Sequence, residues 1–515
     1  MLLTVVALLA LLALYRAATR SHSYWAARRV PHARPLPLVG NNLPNFLMRK
    51  SITEVLVDVY RAYPGEKVVG FYRALRPELI VRDPEIAKRI LTTDFAHFYP
   101  RGLNSHKKVV EPMFRGLFFA DGDLWRLLRQ RMTPAFTSSK LRAMFPLVVA
   151  RAAALGARVR AAAADGVEMD ARELMARFTT DFIGACGFGL EADSLNDENS
   201  AFRKLGKKIF TISNRHFVMG ILKHIFPELL KNVKLLEDVE RDVIALVREI
   251  LRQRDYRPSG RNDFIDLLLE CRAKGLMVGE SIERRKADGT PELAELELDD
   301  VLMAAQVFIF FAAGFETSSS ATSFTLHQLA HHPHVQEKVQ EEVDRVLAKY
   351  DNELSYDAVK EMTYLECAFK EGMRLFPSLG FLVRQCVGQY TFPELALTID
   401  EGVQVFVPLQ ALHTDPLYFA QPLEFRPERF LPGGEASSGK YVYLPFGAGP
   451  RACIGERLGM MQSLAGLAAV LSRSSVRPAA GAPRQPRVDP RLGIVQGVQG
   501  GLPLRFVPRS RSSSS

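Results

Sequence analysis

Pro445-Phe446-Gly447-Ala448-Gly449-Pro450-Arg451-Ala452-Cys453-Ile454-Gly455 is the most telling run in this chain. A solitary cysteine is ordinarily a small core hydrophobe. Cys453 instead sits among Gly447, Gly449 and Gly455, which permit positive φ and close backbone approach. Arg451 adds a fixed cation two residues ahead of it, and the following ERLGMMQSLAGLAAVLSR reads as a helix whose positive end lies beside the sulfur. Both neighbours favour thiolate over thiol.

A thiolate offered on a bare glycine loop is what an axial haem-iron ligand requires, because the flat macrocycle must lie against the backbone. The segment fits FxxGxRxCxG and resembles the haem-binding loop of the cytochrome P-450 family, a haem-thiolate group. The resemblance implies haem b, with Cys453 as the iron's axial ligand and Phe446, Gly447, Arg451 and Gly455 around the cofactor.

Other stretches agree with it. Glu371-Gly372-Met373-Arg374 is similar to the family's ExxR element, and Glu371 and Arg374 share a helix face at that spacing. Such a pair, if buried, needs a further partner. The resemblance assigns that structural part to Arg429, in Pro427-Glu428-Arg429-Phe430. Gly372 is a poor helix former and departs mildly from the pattern.

The stretch VFIFFAAGF belongs to a helix expected from about residue 296 to 329, opened by Glu297, Asp299 and Asp300. Apolar on every face, it should be buried. Within it, Ala313-Gly314-Phe315-Glu316-Thr317-Ser318 resembles the oxygen-binding [AG]Gx[DE]T[TS] of the same family. The Thr317 hydroxyl can reach the Ala313 carbonyl, and with Gly314 this predicts a notch or widened turn for a diatomic molecule and water. Glu316 is a carboxylate in a greasy helix and needs a partner or a task. The resemblance gives Glu316 and Thr317 the catalytic relay of protons, with Ala313 and Gly314 beside the haem.

Trp125-Arg126-Leu127-Leu128-Arg129 resembles the WxxxR segment; Trp125 and Arg129 face one way and both donate to carboxylate. Haem carries two propionates, so Trp125, Arg129, Arg384 and Arg451 are the expected anchors. Expected substrate-pocket walls are Phe118, Phe119, Phe311, Phe315, Leu379, Val383 and Val495.

The chain has 515 residues, 47% hydrophobic and 24% charged, which excludes a disordered chain, a collagen-like chain and a disulfide scaffold. Its five cysteines are scattered and odd in number, so the body is expected on a reducing side of a membrane. The formal charge of +10 is too dispersed to argue for nucleic acid. MLLTVVALLALLALY, residues 1–15, carries no charge, and Arg16, Arg20, Arg28, Arg29 and Arg34 all follow it. That order argues for an uncleaved anchor with the remainder in the cytosol. Residues 1–20 read as the membrane anchor, and 21–41 as a basic hinge stiffened by Pro31, Pro35 and Pro37. Residues 42–508 read as one haem-thiolate catalytic domain, and 509–515, RSRSSSS, as a disordered tail.

The fold class expected is mainly α with a smaller β portion (α+β), and the resemblance implies a helix-rich prism with the long buried helix over the haem. Further helices are expected at about 335–349 and 355–376, and strands at about 403–408 and 501–507. Residues 274–294, rich in Gly, Glu, Arg and Lys, read as a loop or a mobile connection. Gly187-Phe188-Gly189-Leu190-Glu191-Ala192 fits a loose dinucleotide fingerprint but lacks the preceding strand, so it reads as a helix end. His331, His332 and His334 read as a helix terminus, not a metal site.

The reaction implied is insertion of one oxygen atom from dioxygen into a hydrophobic small molecule such as a xenobiotic, steroid or fatty acid. Electrons would come from NADPH through a flavoprotein reductase, with cytochrome b5 as a second donor, at the endoplasmic reticulum membrane. MTPAFTSSKLRAMF and PFGAGPRACIGERLGMMQ look most like insect-type microsomal members that metabolise drugs. A reductase-independent haem-thiolate isomerase or dehydratase, or a non-catalytic membrane-tethered haem protein, would keep Cys453 with less reason for Glu316 and Thr317.

Overall fold

The computed structural model describes residues 2–509 apart from 107, 190–193, 196, 198–199, 212, 262 and 435–440. The helices that place the site are α1 (Leu2–Thr19), α2 (Gly122–Met132), α3 (Ser138–Asp165), α4 (Ala171–Ile183), α5 (Asn214–Ile225), α6 (Phe264–Ala273), α7 (Asp300–His331), α8 (Pro333–Lys349), α9 (Thr363–Leu375) and α10 (Glu456–Leu471). The strands that accompany them are β1 (Val68–Arg73), β2 (Arg76–Val81), β3 (Glu168–Asp170), β4 (Met277–Arg285), β5 (Pro291–Leu296), β6 (Leu382–Gln385), β7 (Gln404–Val407), β8 (Ser474–Pro478) and β9 (Pro503–Pro508). One sheet runs β1-β2-β7-β6, with β2 and β7 parallel and the other pairs antiparallel. A second runs β8-β9-β3, tying the carboxyl end to the start of α4.

The core forms around α7, whose 32 residues reach roughly 48 Å at helical rise. Asp299 caps it, accepting the Leu302 N–H at 2.6 Å. Buried over most of its length, α7 is wrapped by α4, α9 and α10. Its close fit against α9 depends on Gly372, where a Cβ would strike the Thr325 hydroxyl. The residue that weakens α9 as a helix is thus the one that lets it approach.

α1 is also long and apolar enough to cross a bilayer, and among its residues only Ala18 is buried. It fits a single amino-terminal anchor. Among the described residues, the other helix long and apolar enough is α7, which the protein core covers. α5 is exposed at 214–216 and 218 and half-buried over the rest of its length, except for the buried Lys223, whose ammonium meets Glu111 at 2.8 Å.

Three expectations need correction. Residues 277–296 form the β4–β5 hairpin rather than a loop or a mobile connection. Its stem is stitched to α2: Asp123 accepts from the Ser281 hydroxyl at 2.8 Å and the Ile282 N–H at 2.7 Å, and Glu283 accepts the Asp123 N–H at 3.1 Å. Met277 and Ala294 are buried beneath it. The helix expected over 355–376 is broken at Met362, which is fully buried. The Glu342 carboxylate takes the N–H groups of Tyr364 and Leu365, satisfying donors that a new helix start leaves over. Arg509, assigned to the tail, is held by Asp344 at 2.7 Å and by the Leu471 carbonyl; the rest of the tail lies outside the described residues.

Candidate active site

The glycine loop folds back on itself before α10. Gly447 and Gly449 have φ of +73° and +71°, and a Cβ at Gly449 would run into the Leu91 carbonyl. The Cys453 N–H donates to the Phe446 carbonyl at 2.8 Å, so the cysteine is fixed by backbone. Cys453 has solvent-accessible surface although protein packs closely around it. Burial pushes its thiol pKa up, against the lowering pull of the Gly455 N–H and of Arg129 and Arg101. The expected thiolate bias from Arg451 is absent: that guanidinium lies on the Trp125 ring at 4.3 Å and pairs with Asp121 at 2.9 Å.

α10 brings this loop against α7. Gln462 donates to the Gly314 carbonyl and to the Ser318 hydroxyl. Between Leu302 and His327, only Phe310, Ala313, Gly314 and Thr317 escape burial. They recur at i, i+3, i+4 and i+7, so one stripe of an otherwise enclosed helix is open. Thr317 donates to the Ala313 carbonyl at 2.7 Å, as expected. The widened turn is absent: α7 is continuous, and Gly314 serves packing, since a Cβ there would meet Ile183 of α4. Glu316 points off the stripe and is paired with Arg172 of α4.

Glu371, Arg374 and Arg429 come together with no more than 2% exposure each. Arg374 forks onto both Glu371 oxygens at 2.7 and 2.8 Å and also donates to the carbonyls of His413 and Pro422. Arg429 reaches Glu371 at 3.3 Å. The charges are paired and the remaining donors used, as a buried ion set requires.

The wall residues divide. Leu379 and Val495 are bridged to each other. Phe118 and Phe119 stack edge to face at 5.1 Å, on a loop that Gln306 of α7 holds by the Leu117 N–H and the Arg115 carbonyl. Phe315, 2% exposed, packs on Phe311, whose ring also meets Phe188 and borders a cavity together with Val307, Phe310 and Ile183. Val383 is likewise turned into the sheet core with Phe71 and Phe406, because strand alternation sends Leu382, not Val383, to the Gly447 side.

A model of the cytochrome P450 family matches residues 30–501. Cytochrome P450 6a2 of Drosophila melanogaster is similar at 37% identity over 498 residues, spanning 94% of this chain and 95% of its own. Cytochrome P450 6B6 of Helicoverpa armigera is 36% identical over 502 residues, 97% of each chain. The chain belongs to the cytochrome P450 family. It is a P450 monooxygenase, similar to insect members, and its cofactor is haem b.

The residues present fit that P450 cofactor. The buried Arg384 and Arg451 and the half-buried Arg101 form a cationic group with Asp121 as its counter-charge. Burial pulls Arg101 down to about 10 and Arg384 to about 9, with like-charge repulsion adding at Arg384, while Asp121 opposes. The Nε and Nη1 of Arg451 and the Nε of Arg384 are buried donors without a protein partner. Orphan donors and uncompensated positive charge are what two propionates would satisfy. Arg129 stands beside that group, its charge also acting on Arg101, and donates to the Ala452 carbonyl at 2.8 Å. Arg101 and Asp121 were missed in the sequence because neither falls in a motif. The positive-φ Gly102 and Gly122 flanking them were the available signal.

Among the described residues no three His, Cys, Asp or Glu side chains form a metal site. His332 ends α7, its Nδ1 at 2.7 Å from the Gln328 carbonyl. Gly187 lies within a π-helical turn after α4 that Gly189 closes at φ +65°, and residues 190–192 of the loose fingerprint lie outside the described residues.

Proposed function

We propose that this P450 oxidises apolar foreign compounds at the endoplasmic reticulum, with α1 in the lipid, residues 21–41 as hinge and 42–508 as one cytosolic catalytic unit. Electrons come from NADPH through a flavoprotein reductase, with cytochrome b5 as a second donor. The observation that carries this reading is the open stripe of Ala313 and Thr317 on a buried helix, packed against the helix that follows the Cys453 loop.

Haem supplies the activation of dioxygen and the transfer of one oxygen atom to substrate. Cys453 would hold the iron as a thiolate, the bound metal favouring the deprotonated sulfur over the protonation that burial otherwise promotes. Arg101, Arg384, Arg451, Trp125 and Arg129 would hold the propionate edge. Thr317, donating to Ala313, keeps an oxygen lone pair turned to the stripe, where it can accept a proton-bearing group. Glu316 can pass protons to that side only when Arg172 releases it. Phe118, Phe119, Leu379 and Val495 exclude water around an apolar substrate.

Reconstitution in lipid vesicles with reductase and NADPH, under labelled dioxygen, tests the reading against a panel of plant toxins, steroids and fatty acids. Products carrying one labelled oxygen, formed only with reductase, are expected. Rearranged products without reductase would favour an isomerase; substrate-induced spectral change with no product at all would favour a carrier.

A further inference from the structure

Two wall segments from distant parts of the chain, 377–379 and 495–496, meet α7 at the turn that carries Thr317. The Ser378 hydroxyl donates to the Thr317 carbonyl at 2.9 Å. The Gln496 N–H donates to the Ser378 carbonyl at 2.8 Å, and Ser320, nearly one turn along α7, returns its hydroxyl to the Gln496 carbonyl at 3.3 Å. The Gln496 amide donates to the Pro377 carbonyl at 2.8 Å and to Gln410 at 3.2 Å, and Gln496 is only 4% exposed. Leu379 and Val495, the apolar faces of the two segments, pair as an isolated bridge.

We propose that Ser378 and Gln496 are positioning residues for oxygen insertion, registering the substrate wall of Leu379 and Val495 to the Thr317 hydroxyl. A carbonyl inside a helix already has its own N–H partner four residues on. Ser378 therefore does not cap a helix end; it adds a bond that α7 does not need for itself. Neither wall segment belongs to a regular sheet, so these bonds decide where its apolar side chains stand. A substrate seated on Leu379 and Val495 is thereby held in fixed relation to the group that manages protons. This inference rests on the roles given above to Thr317 and to the wall.

Ser378→Ala, Ser378→Thr and Gln496→Leu in the haem-loaded full chain test it by two independent readouts. Amide hydrogen exchange of the resting enzyme should rise about two- to tenfold over 494–498 in Ser378→Ala, the worth of one hydrogen bond, while Ser378→Thr stays at the wild-type rate. With NADPH, reductase and a turned-over substrate, the share of electrons reaching product should fall by a similar factor in Ser378→Ala and Gln496→Leu, the remainder appearing as peroxide. The haem-thiolate spectrum should not change, and threonine should restore coupling. Wild-type exchange in Ser378→Ala overturns the strap. Faster exchange with unchanged coupling and unchanged product pattern overturns its role in positioning. Wild-type enzyme that needs no NADPH would instead sink the functional reading, and the exchange result would still decide whether the strap exists.

Discussion

Glu316 is paired with Arg172 of α4 and not with any group on the open stripe of α7, although Thr317, its neighbour in sequence, faces that stripe. Both side chains are mostly buried, so neither charge has water to fall back on. Arg172→Leu should therefore lower stability by about 2–4 kcal/mol, the cost of leaving a buried carboxylate alone. Adding Glu316→Gln should recover more than half of the loss, read as the urea unfolding midpoint. No recovery in the double variant would mean that Arg172 acts through other contacts.

Gly372 and Thr325 make a second coupled pair. Gly372→Ala pushes a methyl into the Thr325 hydroxyl across the α7–α9 contact. Overpacking of this kind costs about 1–3 kcal/mol, and helix propensity alone would have predicted a gain. Thr325→Ala should relieve the clash, so the double variant should be more stable than Gly372→Ala by itself.

The buried His413 predicts a pH dependence. Its Nε2 accepts the Leu444 N–H at 3.0 Å, and burial, aided by the Arg374 cation, pushes its pKa down to about 3. The unfolded chain binds a proton there below about pH 6.5 that the folded chain refuses until about pH 3. The neutral histidine's stabilisation is thus full above pH 6.5 and declines as pH falls, by about 2 kcal/mol at pH 5. His413→Gln keeps an acceptor but cannot titrate. Its unfolding midpoint should fall less between pH 7 and 5 than that of the wild type, and equal slopes would refute the assignment.

Two variants probe the cofactor cradle. Cys453→Ala should abolish the haem-thiolate spectrum of the reduced carbon monoxide complex, and a retained spectrum would move the ligand elsewhere. Asp121→Asn strips the counter-charge from Arg101, Arg384 and Arg451. The apoprotein should suffer more than the haem-loaded form, so adding haem should raise the melting midpoint of this variant by more than it raises that of the wild type.

What could be read in advance was local. Cys453 with its glycines, Glu371 with Arg374, and Thr317 with Ala313 are each set by spacing along one loop or one helix. Arg429 came through resemblance. What escaped depends on partners far away in sequence: Asp121 meets Arg451 across 330 positions, and Glu316 meets Arg172 across 144. Phe311 and Phe315 look the same in sequence whether they line a chamber or a helix contact, because an apolar helix carries no mark of which side is open. The hairpin misled for a related reason. Charges that suggest a loop turned out to bind another helix.

That hairpin constrains how the chain can change in length. Its tip, around Asp288 and Gly289, is exposed and touches nothing across the fold, so insertions or deletions there should be absorbed. Its stem supplies hydrogen bonds to the first turn of α2, four residues from Trp125 at most. Descendants of this protein are free to vary the ornament at the end of the stalk, but shortening the stalk itself would unsettle a helix that reaches the prosthetic group.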